Sequence, residues 1–269
     1  MQLEATRPSG NRQDELVEKV YRRTNLVATY ARAKLLPAEA TVLVRFSTNF
    51  VNRRVLDLGC GAGRLAIYLQ PLGTAYTGFD ISPYMVDHCR REYSGTFVEG
   101  DMRDLSKFSD SSFDTVMAVS NLFDAVSHSD RLIVLAEVRR VLAPNGLLFF
   151  SAHNQNYAQA GQGPKLEYSR NPVTQMRLLL DYSKARSNHR QWKPHQRNEQ
   201  DYALFNDSGN NFASLHYYVR RDVQCRQLVT AGFQPLECLD SLGRRLSKTA
   251  DDAEFSSIHY VARRSDLPN

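Results

Sequence analysis

The chain has 269 residues, of which 42% are hydrophobic and 23% charged, with a formal net charge of +5. These proportions are typical of a globular protein with a buried core, and they exclude a disordered, collagen-like or low-complexity chain. No apolar run reaches the ~18–20 residues that a membrane-spanning helix needs, and the arginine pairs are too scattered to form one nucleic-acid stripe.

The first part of the chain shows a helical pattern followed by alternating strands and helices. Apolar residues at helical spacing predict helices over about 14–45, with a break near Pro37. Short apolar runs then predict strands at 54–58, 75–80, 97–99, 113–119 and 147–152, with helices at 64–69, 83–93 and 130–142 between them. Ser82 is the expected N-cap of the second of these helices, with Pro83 at its first position, and 143–146 is a turn signal. This alternation predicts an α/β fold, with an open, mostly parallel sheet and helices on both faces.

The pattern changes after residue 153. Residues 154–212 are polar and rich in Asn, Gln, Arg and Tyr, with one helical stretch near 172–190, which we interpret as an insertion rather than a core layer. Strands at 213–219, 233–240 and 256–263 follow, with a helix at 222–231 that Gly232 ends. Two successive strands at the end of the chain predict an antiparallel edge hairpin with a long connection, and hence an antiparallel edge strand. We therefore expect an N-terminal helical cap at 1–50, a core formed by 51–153 and 221–269, and a lid at 154–220.

The most informative segment is Val55-Leu56-Asp57-Leu58-Gly59-Cys60-Gly61-Ala62-Gly63. A buried strand ends in an acidic residue, and a glycine-rich turn then opens a helix, so that backbone N–H groups can approach a ligand closely. A dinucleotide-binding fingerprint would need a further glycine where Arg64 stands. Asp57 would also repel a diphosphate, whereas it suits the cation of an amino acid.

Two more acidic residues follow neighbouring strands. Asp80 ends the second strand, where a carboxylate can accept hydrogen bonds from two ribose hydroxyls. Asp101 follows the third strand, where a carboxylate can accept from an adenine amino group. Three acidic strand ends without a phosphate-binding signal indicate a nucleoside that lacks phosphate and carries a positive end.

This arrangement resembles the class I S-adenosylmethionine-dependent methyltransferases, particularly those that act on small molecules. Val55–Gly63 matches the first motif of that family, and Gly78–Ser82 matches the second. Gly100–Met102 is similar to its adenine-binding motif. The segments that resemble its fourth strand, the turn before its fifth strand and its C-terminal part are Phe113–Val116, Leu142–Leu147 and Ala231–Phe233. The resemblance implies a doubly wound, Rossmann-like sheet of seven strands, with S-adenosylmethionine as cofactor and S-adenosylhomocysteine as product.

The resemblance also implies a role for individual residues. Gly59, Gly61 and the region of Asp57 would hold the methionine moiety, and Asp80 would bind the ribose hydroxyls. The residues implied at the adenine are Ile81, Asp101 and Met102. Those implied at the methyl-donor end are Val119 and Ser120, and Tyr21 and Tyr30 of the N-terminal helices would contact the cofactor.

Methyl transfer from a sulfonium is an in-line displacement, in which the protein mainly aligns the two reactants. The acceptor is expected beyond the fourth and fifth strands and under the lid, against Asn121, Phe123, His153, Asn154 and Tyr217. His153 is the candidate general base, needed where the acceptor atom carries a proton. The Asn-Pro-Pro-Tyr motif of DNA and protein-amide methyltransferases is absent. Neither His-x-His nor His-Glu-x-x-His occurs, so no metal is expected.

The expected partner is a small-molecule acceptor, with a homodimer kept as an alternative, and neither a membrane nor a nucleic acid is expected. The four cysteines are far apart and form no Cys-x-x-Cys motif, which favours a reduced, cytoplasmic compartment. Three other functions stay open. They are methylation of RNA or protein, a cofactor-binding regulatory or scaffold protein without turnover, and, least favoured, a nicotinamide-dependent oxidoreductase.

Overall fold

The computed structural model describes residues 34–265. Within this range there are six α-helices and ten β-strands, besides short 3₁₀ turns. The helices are α1 (Pro37–Arg45), α2 (Ala66–Leu69), α3 (Pro83–Glu92), α4 (His128–Val141), α5 (Pro172–Trp192) and α6 (Arg221–Thr230). The strands are β1 (Arg54–Leu58), β2 (Ala75–Asp80), β3 (Thr96–Glu99), β4 (Phe113–Ala118), β5 (Leu142–Asn154), β6 (Arg197–Asn198), β7 (Ala203–Asn206), β8 (Leu215–Val219), β9 (Phe233–Leu239) and β10 (Ser257–Arg264). None of these helices is long and apolar enough to cross a lipid bilayer.

Seven strands form the core sheet in the order β3-β2-β1-β4-β5-β10-β9. Neighbours from β3 to β5 pair in parallel, whereas β10 is antiparallel to both β5 and β9. The predicted α/β fold of mostly parallel strands is therefore confirmed. One detail differs, because the antiparallel strand β10 lies inside the sheet and β9 forms the edge. Ile258, Val261 and Ala262 are fully buried in β10, which suits an inner position better than an edge.

Two apolar cores form, one on each face of the sheet. Leu56, Leu58 and Phe150 pack on one face with α4 and α6. Val55 and Phe149, which alternate with them along the same strands, pack on the other face with α1, α2 and α3. This alternation follows from the pleat of each strand. The result is a doubly wound sheet whose ligand crevice is expected at the carboxyl ends of its parallel strands.

Strand β5 is longer than predicted, since it begins at Leu142 and continues to Asn154. The segment 143–146, predicted as a turn, lies within this strand, with Asn145 at φ 60° and a register shift beside Phe113. It is therefore an irregularity within the β4–β5 pairing rather than a separate loop.

The predicted lid contains α5 and three strands that extend the sheet. β8 pairs in parallel with the end of β5, where His153 lies opposite Tyr218, while β10 pairs with the other side of β5 at the same residue. β8 therefore lies on the β4 side of β5, just beyond the end of β4. β7 and β6 follow as antiparallel neighbours. This topology places lid residues directly at the carboxyl end of β4.

Candidate functional site

A recessed cavity of about 360 Å³ opens at the carboxyl ends of β1, β2 and β4. That volume lies in the range of small-ligand sites. Most of the residues predicted from the sequence meet there. They are Asp57, Gly59, Gly61, Asp80, Ile81, Asp101, Met102, Val119, Ser120, Asn121 and His153.

The glycine-rich turn forms one wall. Gly59, Gly61 and Gly63 have φ values of 71°, 53° and 80°, which L-residues with side chains rarely adopt. The Gly59 N–H donates to the carbonyl of Phe79 at 2.7 Å, which ties the turn to β2. A Cβ built on Gly61 would meet no atom within 4 Å. The backbone at Gly61 is thus the part of the turn that a ligand can approach.

Asp80 stands at the end of β2, beside this turn. One of its carboxylate oxygens accepts from the Gly61 N–H at 2.8 Å, and the other from the Ser82 N–H at 2.8 Å. Ser82 occupies the predicted N-cap position of α3, but its side chain makes no capping hydrogen bond. Burial raises the pKa of Asp80, against these backbone hydrogen bonds. A carboxylate offers about four acceptor positions, so Asp80 keeps capacity for a hydroxyl group beside these backbone contacts.

Asp57 is buried and lines the cavity. Its Oδ2 accepts from the Tyr76 hydroxyl at 2.6 Å, whereas its Oδ1 has no hydrogen-bond partner among residues 34–265. Burial raises the pKa of Asp57 to about 7, although the Tyr76 hydrogen bond and the nearby Arg64 charge oppose this rise. A buried carboxylate oxygen without a partner calls for a donor, and an ammonium group would supply one.

The third acidic residue is engaged in an ion pair. Asp101 lines the cavity, and its carboxylate contacts the guanidinium of Arg103 at 2.6 Å. Its other oxygen accepts from the Arg103 backbone N–H at 2.9 Å. Ile81 and Met102 lie on the same wall and give it an apolar surface suited to a flat ring. Sequence reasoning missed Arg103, because nothing in its spacing distinguishes it from other surface arginines.

Two consecutive residues after β4 have left-handed backbones, with φ 58° at Ser120 and 56° at Asn121. Such geometry costs free energy in residues with a Cβ and often occurs at functional sites. The surrounding contacts hold the turn, since the Asn121 N–H donates to the Ser151 hydroxyl at 2.8 Å. The Asn121 side chain donates to the Ser257 hydroxyl at 2.9 Å, while its Oδ1 is buried without a partner within the part of the chain described.

His153 lines the cavity together with Gly209 and His216 from the predicted lid segment. Its backbone N–H donates to Asp124 Oδ2 at 2.6 Å. Its ring Nδ1 lies 2.8 Å from the same oxygen, close enough for an ion pair but poorly aligned for a hydrogen bond. Burial lowers the pKa of His153, but the Asp124 and Asp207 carboxylates together raise it more, so the net shift is upward. Asp124 itself is fully buried and forms an ion pair with Arg131, which is also fully buried.

The lid adds polar residues that the sequence did not predict for the site. His216 and Gly209 line the cavity, and the His216 ring stacks on the His153 ring with centroids 5.5 Å apart. Asp207 accepts from the Tyr218 hydroxyl at 2.7 Å, and its other oxygen lies 2.9 Å from His216 Nδ1. The alternation of side chains along the strand at 215–219 could have indicated these residues, but it left open which face of the strand points to the site.

Three predicted acceptor residues lie outside the cavity, which corrects the predicted acceptor set. Phe123 is fully buried, with its ring 5.2 Å from that of Phe150. Asn154 is fully buried, and its amide donates to the Asp252 carbonyl at 2.7 Å. Tyr217 alternates with His216 and so points to the opposite face, where its hydroxyl accepts from Gln227 at 2.9 Å. Tyr21 and Tyr30 lie outside the residues that the structure describes.

Part of the chain is similar in sequence to known proteins. Residues 55–146 match a family model described as a methyltransferase domain. A putative methyltransferase YqeM of Bacillus subtilis (strain 168) is 33% identical over 106 residues, which make up 38% of this chain and 42% of that protein. The chain spans less than half the length of the curated relatives it matches first.

Solved structures are similar over nearly the whole chain. The CcbJ methyltransferase from Streptomyces caelestis has a TM-score of 0.61 at 18% identity, covering 92% of this chain and 99% of that one. A 1,6-didemethyltoxoflavin-N1-methyltransferase from Burkholderia thailandensis was solved with bound 1,6-didemethyltoxoflavin and S-adenosylhomocysteine. It has a TM-score of 0.57 at 16% identity and covers 99% of both chains. At such identities the likeness establishes the shared fold.

Proposed function

We propose that this chain, of which residues 55–146 match a methyltransferase-domain family model, belongs to the class I S-adenosylmethionine-dependent methyltransferases and transfers the methyl group of S-adenosylmethionine to a small molecule. The product of the cofactor would be S-adenosylhomocysteine. The observation that carries this proposal is a single cavity that joins Asp57, Asp80 and His153. These residues supply acceptors for an ammonium group and a ribose at one end, and polar groups for a second reactant at the other.

The residues present fit the cofactor. Asp57 Oδ1, which has no partner among the described residues, would accept from the ammonium of the methionine moiety, next to the open backbone of Gly61. Asp80 would accept from the two ribose hydroxyls, and the apolar wall with Ile81 and Met102 would pack against adenine. In this order the sulfonium would lie near Val119 and Ser120, which line the cavity at the end of β4.

The chemistry asks mainly for alignment. The acceptor atom forms a bond to the methyl carbon while the carbon–sulfur bond breaks and its electron pair returns to sulfur. Because the sulfonium is already activated, holding the two reactants in line is the largest contribution that the protein can make. Asn121, His153 and His216 line the end of the cavity where the acceptor would lie.

The cavity favours a small acceptor over RNA or a protein side chain. His216 of β8 and Gly209 line the acceptor end of the cavity, so the predicted lid contributes to the walls of this end. A structural neighbour that shares the fold over nearly the whole chain was solved with bound 1,6-didemethyltoxoflavin. We therefore infer that the lid encloses its acceptor rather than presenting an open docking face.

Ligand-induced stabilisation tests the cofactor assignment. S-adenosylhomocysteine and S-adenosylmethionine at about 100 times their dissociation constants should add about 2.7 kcal/mol, which raises Tm by roughly 5 °C in a chain of this size. NAD at the same concentration should leave Tm unchanged, because the site has three carboxylates and lacks the third glycine of a dinucleotide fingerprint. A shift with NAD alone would contradict the proposal.

The buried Asp57 predicts how cofactor affinity depends on pH. With a pKa of about 7, this carboxyl is mostly protonated below neutrality and then cannot pair with an ammonium group. We expect affinity for S-adenosylhomocysteine to fall by about tenfold per pH unit below 7 and to level off just above it. The groups that set this pKa besides burial are Tyr76, Arg64, Glu39 and Asp80.

Two variants test whether Asp57, rather than another titrating group, causes the pH dependence of affinity. Asp57→Asn should bind S-adenosylhomocysteine more weakly at pH 8 and lose the dependence between pH 5 and 7 in isothermal titration calorimetry. Tyr76→Phe removes a donor to the carboxylate, so the midpoint of the dependence should move to higher pH. An unaltered pH profile in Asp57→Asn would show that another group controls binding.

A further inference from the structure

Three residues from separate parts of the chain meet at the acceptor end of the cavity. His153 is the penultimate residue of β5, Asp207 follows β7, and His216 lies on β8. Each residue offers one possible ligand atom, a ring nitrogen or a carboxylate oxygen. These three atoms all lie within 4.8 Å of one another. His153 Nε2 is 3.9 Å from Asp207 Oδ2, and His216 Nδ1 is 2.9 Å from Asp207 Oδ1. Metal–ligand bonds of ~2.0–2.2 Å hold ligand atoms about 3–4 Å apart, so small side-chain movements would allow all three to bind one ion.

The charges in this cluster call for a cation. Asp124 is neutralised by the buried Arg131. The side chain of Asp207 is only 16% exposed, and its partners are His153, His216, the Tyr218 hydroxyl and the Gly209 N–H. No lysine or arginine within 34–265 forms an ion pair with Asp207. A divalent ion would neutralise the negative charge of this carboxylate, so that neither histidine would need to be protonated.

Outer contacts already orient the side chains of His153 and Asp207. Asp124 contacts His153 at Nδ1, so the Nε2 of that ring is left toward Asp207. The Tyr218 hydroxyl and the Gly209 N–H hold the carboxylate of Asp207, and the ring of Tyr218 stacks on His153 at 4.8 Å. Metal sites commonly have such outer contacts, which fix the direction of the ligand atoms. His153 and His216 also line the cavity, so one side of the cluster stays open to a small molecule.

We propose that His153, Asp207 and His216 bind one divalent transition-metal ion at the acceptor end of the cavity. Two imidazole nitrogens and one carboxylate oxygen, with an open position, are a ligand set that suits Zn²⁺ or Fe²⁺. Mg²⁺ and Ca²⁺ prefer oxygen ligands and should bind poorly. Sequence spacing predicted no metal, because the three ligands come from distant segments that only the lid topology joins.

The ion would define the acceptor as an oxygen-bearing small molecule, and this part of the inference rests on the proposed function. A hydroxyl bound at the open position loses its proton to water more readily. The resulting oxygen lone pair forms the bond to the methyl carbon, and the carbon–sulfur electron pair goes to sulfur. His153 would then act as a ligand rather than as the general base. The binding of the ion itself does not depend on methyl transfer.

Zn²⁺ titration of the untagged, chelator-treated protein tests the site directly. We expect one equivalent to bind, and His216→Gln and Asp207→Asn to weaken that binding by at least tenfold. The matched control is His195→Gln, which removes an exposed histidine outside the cluster and should leave Zn²⁺ affinity unchanged. Mg²⁺ titrated in the same way should give no saturable heat.

A spectroscopic measurement keeps the test decisive if a variant does not fold. Co²⁺ added to the unmodified protein should give intense visible bands of a four- or five-coordinate site with nitrogen ligands. A weak spectrum like that of the hydrated ion, an absence of stoichiometric Zn²⁺ binding, or full Zn²⁺ affinity in folded His216→Gln would each overturn the proposal. S-adenosylhomocysteine titrated separately, without metal, tests the proposed function, so the two failures can be told apart.

Discussion

Replacing Asp80 by alanine is expected to weaken S-adenosylhomocysteine binding at least a hundredfold. Hydrogen bonds to a charged acceptor contribute about 1.5–3 kcal/mol each, and Asp80 would accept two from the ribose. The carboxylate also holds the Gly61 and Ser82 N–H groups at 2.8 Å, so its loss would loosen the glycine-rich turn as well. Since ~1.4 kcal/mol is a factor of ten, the combined loss exceeds two orders of magnitude.

Isothermal titration calorimetry with matched variants makes this prediction specific. Asp87→Ala removes an exposed carboxylate on α3 that pairs with the exposed Arg90, and it should not change the affinity. Asp80→Asn keeps the shape but turns one acceptor into a donor that faces a backbone N–H, so it should also bind weakly. Affinity of Asp80→Ala within threefold of the unmodified chain would show that the cofactor does not lie against β2.

Local sequence patterns predicted most of the core but not how distant strands combine. β1 and β2 begin and end where the pattern predicted, because short apolar runs between turn signals are set by neighbouring residues. β5 is longer than predicted and β10 lies inside the sheet, because both depend on pairing with segments far away in the sequence. Local hydrophobicity carries no information about which partner a buried strand meets.

The same distinction applies to the site. Asp57 and Asp80 reach the cavity because parallel strands end at one edge of the sheet, which strand order alone dictates. His216 was missed and Tyr217 chosen in its place, because alternation along β8 predicts two faces but not which one meets β5. Asp207 had no signal in the sequence, since its proximity to His153 arises only when the lid strands join the sheet.

Replacing Arg131 by methionine is expected to destabilise the fold by about 3–5 kcal/mol, since removing one partner leaves the other charge buried and unpaired. Arg131 is fully buried, and its guanidinium bonds to Asp124 and, at 2.6 Å, to Gln224. It also lies over the Tyr217 ring, 4.6 Å from the centroid. Urea unfolding followed by circular dichroism would measure the loss. Arg226→Met, which breaks an exposed pair with Asp222, should leave the midpoint unchanged.

The double variant Arg131→Met/Asp124→Asn separates stability from the positioning of His153. It removes both charges, so it should recover much of the stability that Arg131→Met loses, and a double variant as unstable as the single one would contradict the ion-pair explanation. Asparagine can still accept from the His153 N–H, but it no longer offers a carboxylate to the His153 ring. We therefore expect the double variant to fold yet bind Zn²⁺ about 10–100-fold more weakly, as metal sites do when an outer-sphere partner is lost. If stability recovers in the double variant and Zn²⁺ affinity does not, the buried Arg131–Asp124 pair serves to position His153 rather than to stabilise the fold.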